Sequence, residues 1–342
     1  MKEYDVTIGI PIYNSVSCIR ASLMSALAQT YASIEFLLVD DGCDDGTFDV
    51  VNYMVAEHSR AADVHMIIHP ENQGVSVSRN QIIDEAKGRY LYFMDSDDTI
   101  AENTIELLMN HARQYDAEVV FGSYERIELT GKRTVCQYPF LQLLKADELA
   151  CFAYRKYAGI QASACNFLVK TELLHSHHHR FIDTNYWEDF VFTSDLVTLV
   201  SRAVLLPDIT YHYICRSNSL SHYQERIDIS KEEVLQSVKA NRYLIETSGR
   251  LSDKKYFPGR CYQMAMTNFY IACTILKRRH TITPSFSNQE IQEIMRYPVS
   301  WRRICSFRQA RLKNMLLYLI GRMPSSLCVK TIWMLGKVKK LI

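Results

Sequence analysis

Apolar positions alternate strictly at the start of the chain. Val6, Ile8, Ile10 and Ile12 fall on one side of an extended segment covering residues 5–12, which is the patterning of a β-strand. Within 15–30 the apolar spacing changes to that of a helix, with Ile19, Leu23, Ala26 and Leu27 on one face. The run IEFLLVDDG then reads as a second strand ending in acid and glycine, and a second helix covers roughly 46–60. VHMIIHP is a third strand stopped by Pro70, residues 75–87 form a third helix closed by Gly88, and RYLYFMD is a fourth strand. A further helix spans about 102–115. Strands alternating with helices in this way predict βαβ units and an α/β fold with a mostly parallel central sheet between flanking helices.

From about 118 the pattern shifts. EVVFGSYERIEL and KRTVCQY read as a hairpin joined at Thr130-Gly131. Residues 188–201 read as a helix, followed by short strands at 203–206 and 209–215. Beyond Ser230 the text is nearly all helical. The expected division is an α/β domain over 1–225, with halves at about 1–115 and 116–225, and a helical C-terminal region over 226–342.

Polar residues gather where the expected strands end: Pro11, Tyr13 and Asn14 after the first, Asp40 and Asp41 after the second, and Asp95, Asp97 and Asp98 after the fourth. Ligands of such sheets bind beyond the carboxyl ends of the strands. The stretch YLYFMDSDDT drives an apolar strand into three carboxylates, and each desolvated carboxylate is costly unless a positive charge neutralises it. A divalent cation such as Mn²⁺ or Mg²⁺ prefers oxygen ligands and is held by one or two carboxylates plus substrate phosphates. Asp95-x-Asp97 is therefore a candidate cation site, and its place at the end of a buried strand favours that reading over a solvated turn.

The net charge of +1 is unevenly spread. Residues 301–342 hold ten Lys or Arg and no Asp or Glu, which leaves 29 basic and 38 acidic residues in the rest. A basic segment that mixes Leu, Ile, Met and Trp suits peripheral contact with an anionic membrane surface. It carries no recognised nucleic-acid module, so nucleic acid is not expected as a partner. The start has no signal-peptide pattern, no apolar run is long enough to span a bilayer, and the ten cysteines are scattered without a CxxC pair. These features read as a cytoplasmic protein with reduced thiols, peripheral at the inner face of the membrane where it touches one. HSHHHR, His175 to Arg180, is expected to be a solvated loop near the acceptor site rather than a zinc site, because adjacent histidines on one loop rarely converge on one ion.

The segments IPIYN, LLVDDGCDDGT, NQGVSVSRN and GRYLYFMDSDD occur in the order and at the spacing of family 2 glycosyltransferases, and the chain resembles that family. Further matches run to about 222 in ACNFLVKTELL, WEDFVF and YHYICRSNSLSH. Cys43 and Asp44 depart from the DDGSTD that members often carry. The resemblance implies the GT-A fold, a Rossmann-like α/β arrangement that binds nucleotide-diphospho-sugars. It makes residues 1–115 the nucleotide-sugar half and 116–225 the acceptor half.

The roles that follow are those the resemblance implies. Pro11, Tyr13, Asp40, Asp41, Asn72, Gly74 and Ser96 would hold the nucleotide sugar, and Arg79, Arg216 and Ser219 would meet it at the diphosphate, where a guanidinium matches phosphate oxygens. Asp95 would face the ribose or the metal, Asp97 would ligate the metal, and His222 would complete its site. Glu188 and Asp189 stand at a helix start, where the dipole favours ionised acids, and the resemblance points to Asp189 as general base with Glu188 as its neighbour. The expected activity is inverting, metal-dependent transfer from a nucleotide-diphospho-sugar, UDP by family habit, to a glycan or lipid-linked acceptor. The competing readings are a sugar-nucleotide-forming nucleotidyltransferase and an inactive nucleotide-sugar-binding protein. The first lacks its early GxGxRL-type loop, and the intact Asp95, Asp97 and Asp189 speak against the second.

Overall fold

The computed structural model describes residues 3–155, 160–216 and 229–342. They divide into two compact units, one made of Met1–Leu149 with Gln161–Ser219, the other of Ala150–Ile160 with Leu220–Ile342.

The first unit opens with β1 (Tyr4–Ile12), α1 (Ile19–Leu27), β2 (Ile34–Asp40), α2 (Thr47–Ala56), β3 (Val64–Ile68), α3 (Val75–Glu85) and β4 (Gly88–Phe93). Strands β2, β1 and β4 lie side by side in parallel, and β3 joins the outer side of β2. The alternation in β1 suggested one buried face, yet both faces are covered. Val6, Ile8, Ile10 and Ile12 fill one side. On the other, Thr7 donates to Glu35 Oε2 at 2.6 Å, and the absent side chain of Gly9 makes room for Ile82 of α3. A small-and-polar face is what a helix can press against closely.

The remaining elements are β5 (Thr99–Ile100), α4 (Thr104–Tyr115), β6 (Val119–Ile127), β7 (Arg133–Cys136), β8 (Leu141–Leu143), α5 (Glu148–Arg155), β9 (Phe167–Lys170), α6 (Thr171–Ser176), α7 (Glu188–Leu196) and β10 (Ala203–Ile214). The sheet runs β3-β2-β1-β4-β9-β6-β10-β5, with β7 on β6 and β8 on β10. Parallel pairing holds through β1–β4 and returns at β6/β10; β9, β7, β5 and β8 pair antiparallel, so the sheet is mixed. Order reverses between β2-β1 and β1-β4, which opens a crevice beyond the ends of β1 and β4.

Two expectations change here. The strands at 203–206 and 209–215 are one strand, β10, whose register slips between Leu205 and Ile209. Pro207 sits at the slip, where it removes a ladder donor. The helix expected over 188–201 stops at Leu196, and the chain turns on through Thr198 N–H to Asp195 O and Leu199 N–H to Leu196 O.

The second unit holds β11 (Ile229–Ser230), α8 (Lys231–Thr247), α9 (Phe257–Lys277), β12 (Ile282–Thr283), α10 (Asn288–Ile294), α11 (Trp301–Cys305), α12 (Arg311–Arg322) and α13 (Ser325–Val338). Ser230 with Glu233 and Ser287 with Glu290 form reciprocal capping boxes that start α8 and α10. Tyr256, Phe257, Cys261, Ile304 and Phe307 pack into one apolar cluster. All ten cysteines are free thiols. Among the described residues no helix is long and apolar enough to cross a membrane.

Gly88 begins β4 where it pairs with β1, and a Cβ there would stand 2.3 Å from Thr7 N and 2.5 Å from Val6 C. Backbone cannot give way as a side-chain tip can. Gly88→Ala is expected to cost about 2 kcal/mol or more, read from urea unfolding; a loss near zero would show that β1 and β4 are not held this close.

Candidate active site

The acids that end β4 are organised by three other segments. Arg79, on α3, is 5% exposed. Its Nη2 donates to Asp95 Oδ1 and its Nη1 to Glu188 Oε1, both at 2.8 Å. Burial opposes the guanidinium charge, but Asp95 and Glu188 outweigh it and hold its pKa above the usual arginine range. From β10, the Tyr211 hydroxyl donates to Asp98 Oδ2 at 2.7 Å and accepts the N–H of Asp95 at 3.2 Å. Ile214 N–H donates to Asp98 Oδ1 at 2.8 Å. Just past β10, Arg216 donates from Nη2 to the backbone oxygen of Asp97 at 2.6 Å and holds Nε 3.7 Å from Asp97 Oδ2. Asp98 is buried and structural; Asp95 and Asp97 remain partly open.

The charges set the acids apart. Burial and the neighbouring Asp95 raise Asp97 to about 6, against the opposing pull of Arg216. Burial, Asp95 and Asp97 raise Asp98 to about 8. Burial raises Glu188 even though Arg79 pulls it down. Burial and the charge of Glu188 raise Asp189 to about 7. The sequence reading had the dipole of α7 favouring ionised Glu188 and Asp189; desolvation and mutual repulsion outweigh it. Asp189 makes no arginine pair of the kind Glu188 makes, and accepts instead the N–H of Phe190 at 2.6 Å.

The first crevice wall comes from β1 and β2. Pro11 ends β1 inside the sheet, and Tyr13 projects with half its surface in solvent. Asn14 takes a left-handed backbone, φ 44°, and its side chain exchanges hydrogen bonds with Asp44, at 2.8 Å to Oδ1 and 3.0 Å from the N–H. Cys43 Sγ accepts Asn14 N–H at 3.3 Å, so the two positions that depart from the familiar motif brace the end of β1. Asp40 Oδ1 accepts Cys43 N–H at 2.9 Å. Gly42 is left-handed, φ 75°, and a Cβ there would meet the Glu71 and Asn72 backbone within 3 Å, which ties the β2 turn to the loop before α3.

Asp41 is buried and committed to that loop. Its Oδ1 lies 2.6 Å from His69 Nδ1 and accepts Gln73 N–H at 3.0 Å, and its Oδ2 accepts Gly74 N–H at 2.8 Å. Asn72 is exposed beside it, and Ser96 shares a hydrogen bond with Ser15 at 2.8 Å.

The structure thus joins Arg79, Asp95 and Glu188 directly, sets Asp189 next to them, joins Arg216 to Asp97 and Gly74 to Asp41. Both terminal nitrogens of Arg79 are engaged by the Asp95 and Glu188 carboxylates. Ser219 and His222 lie outside the described residues. Tyr211, within β10, and His69, just after β3, were missed by the sequence reading; each hydrogen-bonds one of the strand-end acids, Asp98 and Asp41. The histidine loop is corrected in part: His175, His177 and His178 are exposed, but His179 is buried against Phe192, ring centroids 4.3 Å apart, with Nε2 3.0 Å from Phe192 O.

Among the described residues no group of three or more His, Cys, Asp or Glu is arranged to hold a metal ion. Asp95 and Asp97 offer two hard oxygen donors, and burial, with the Asp95 charge beside it, raises Asp97. That donor set fits a cation whose remaining ligands are phosphate oxygens and water.

Residues 7–176 match the family model described as Glycosyl transferase family 2. The chain is 28% identical over 225 residues to the glycosyltransferase GlyG of Streptococcus pneumoniae, an alignment covering 63% of this chain and 72% of GlyG. In fold it resembles S. aureus TarS 1–349, solved in complex with UDP-GlcNAc, at a TM-score of 0.62 and 17% identity over 93% of this chain and 90% of that one. It also resembles the mannosyltransferase PcManGT of Pyrobaculum calidifontis, solved with GDP-Man and Mn²⁺, at a TM-score of 0.53 and 15% identity over 93% and 88% of the two chains.

Removing one partner from a buried ion pair leaves the other charge uncompensated, at a cost of about 3–5 kcal/mol. Arg79→Met is expected to lose stability on that scale at neutral pH, and Glu188→Gln in the same chain is expected to restore part of it. Chemical denaturation of the two single variants and the double variant measures the coupling; strictly additive losses would show that the pair does not hold the site together.

Proposed function

The chain belongs to the family 2 glycosyltransferases, and on that premise we propose that it moves a sugar from a nucleotide-diphospho-sugar to a hydroxyl of a glycan or lipid-linked acceptor, with inversion at the anomeric carbon. The donor half is about 1–115, the acceptor half about 116–225, and 226–342 is the appended helical region. The donor is a UDP-sugar on this reading, which the likeness to a UDP-GlcNAc-binding protein supports. The product is a growing polysaccharide or related glycan.

One arrangement carries the reading: Asp189 is buried beside Glu188, which is pinned by Arg79, and burial with the Glu188 charge raises Asp189 to about 7. A general base works best when its pKa lies near the working pH. The Asp189 carboxylate takes the proton of the acceptor hydroxyl. The freed oxygen forms a bond to the anomeric carbon from the face opposite the diphosphate. The bond from that carbon to the diphosphate oxygen breaks, and the nucleoside diphosphate leaves with the electron pair. A single displacement of this kind inverts the centre. Glu188 does not touch the reacting atoms here; its pairing with Arg79 keeps the start of α7 in place.

Asp97, with Asp95 beside it, would hold a divalent cation, Mn²⁺ or Mg²⁺, and Arg216 stands next to Asp97 on the leaving-group side. When bound, the cation supplies positive charge that stabilises the departing diphosphate. Tyr13 and Asp40 flank the crevice where the nucleotide would lie, and the Asp41–Gly74 bond shapes its floor.

Two measurements test this. Because Asp189 must be ionised, kcat/KM is expected to rise with pH, fall about tenfold per unit below its pKa, and level off above about 7. Asp189→Asn is expected to lower kcat by about 10²–10⁴-fold and to remove that limb; an unchanged acid limb in the variant assigns the base elsewhere. Separately, UDP with Mn²⁺ is expected to raise the melting temperature beyond either alone, since a ligand of the folded form stabilises it by mass action. Asp97→Asn should lose the Mn²⁺-dependent part, and a shift equal to wild type would remove Asp97 from the metal site.

A further inference from the structure

Helices α12 and α13 are apolar on two opposite faces. Toward the interior of their unit, α12 buries Asn314, Leu317 and Ile320, and α13 buries Cys328, Ile332 and Gly336. Those faces pack on α9 and α10. Outward, α12 presents Leu312, Leu316 and Leu319 at i, i+4 and i+7, each 48% exposed or more. On α13, Leu327, Met334 and Val338 form a second stripe at i, i+7 and i+11, each 51% exposed or more. Residues at these spacings share one side of a helix. A helix that packs once needs a single apolar stripe, and among the described residues nothing covers the outer stripes.

The flanks are entirely basic. Arg311, Lys313 and Arg322 border the α12 stripe, and Lys330 and Lys337 border that of α13. Residues 301–342 carry ten Lys or Arg and no acid. Trp333, 46% exposed, lies beside its stripe with Lys337 Nζ 3.7 Å from the ring centroid. Leucines on the outward face, with cations along both margins of the α12 stripe and along one margin of the α13 stripe, where Trp333 also lies, form the pattern of helices lying in a membrane interface.

We propose that the outer faces of α12 and α13 dock on an anionic phospholipid bilayer, with the leucines entering the acyl boundary and the lysines and arginines meeting headgroup phosphates. Charge decides among the possible occupants. A second copy joined through the same face would set Arg311, Lys313, Arg322, Lys330 and Lys337 against the same five cations, and nucleic acid would answer the charge but leave the leucines in water. Only an anionic lipid surface satisfies both. This inference stands apart from the catalytic assignment, since none of its residues belongs to the site.

The test is cosedimentation of the full chain with vesicles of phosphatidylcholine alone and of an equimolar phosphatidylcholine and phosphatidylglycerol mixture. Binding is expected to the mixed vesicles and not to the neutral ones. Leu316→Ser with Leu319→Ser keeps every charge and is expected to weaken partitioning at least about tenfold. Lys330→Gln with Lys337→Gln keeps every leucine and is expected to weaken it about fivefold for each charge removed. The altered side chains are exposed, so melting temperatures should match wild type, and the lysine pair still decides the matter if the leucine pair fails to fold. The proposal is overturned if wild type ignores the mixed vesicles, if it binds neutral ones equally, or if folded leucine variants bind as wild type does. It is equally overturned if wild type sediments as a dimer that L316S disperses, without vesicle binding.

Discussion

A single buried cation, the Arg79 guanidinium, fixes the geometry of the site. Its partners come from two other places in the sequence, Asp95 sixteen residues on and Glu188 a further stretch of chain away, 109 residues from Arg79. None of the three groups is tolerable alone where it lies: a desolvated charge without a partner costs several kcal/mol. Together they compensate. The end of β4, the second turn of α3 and the start of α7 are therefore held by one mutual need, and the position of each acid follows from it.

The compensation is incomplete, and the deficit has a use. Among the described residues, Asp95, Asp97, Asp98, Glu188 and Asp189 face two guanidiniums, those of Arg79 and Arg216. The excess negative charge, added to burial, raises Asp97, Asp98 and Asp189. Tyr211 keeps the crowded acids from springing apart, because one phenol takes the Asp95 N–H and gives its proton to Asp98. The rim is thus rigid and short of positive charge, a combination suited to a ligand that brings a cation with it.

The first four strands and their helices were legible because their apolar patterns are uninterrupted and several close on a proline or acid, as β2 does at Asp40, β3 before Pro70 and β4 before Asp95. The polar residues at the strand ends were legible for the same reason: a parallel sheet has only one place to put them. What stayed hidden depends on pairing between distant segments. Nothing local in 203–215 says that a strand continues through Pro207; it does so because β6 lies alongside in parallel. Nothing local in HSHHHR separates His179 from its exposed neighbours; Phe192, thirteen residues later, supplies the ring it packs on. Asp41 looked free to meet a ligand, but His69 and two backbone amides of the following loop take its oxygens. Arg79 looked like a diphosphate contact, and its burial between Asp95 and Glu188 emerges only once the distant Glu188 is in place. Long-range compensation of charge leaves no signature in a window of sequence.

The same logic separates two adjacent acids of equal formal charge. Both sit in the first turn of α7, where the helix dipole acts on each. Among the described residues Glu188, and not Asp189, has a counter-charge within hydrogen-bond distance, the Arg79 guanidinium. Its fixed negative charge then acts on Asp189, adding to burial and carrying that carboxyl to about 7. One acid is committed to structure, and by being committed it tunes the other. Neighbouring carboxyls with different partners divide into distinct chemical roles. Exchanging the two side chains would send the shorter carboxylate toward Arg79 and loosen that bond, so the order Glu-Asp, rather than the mere presence of two acids, is what the arrangement requires.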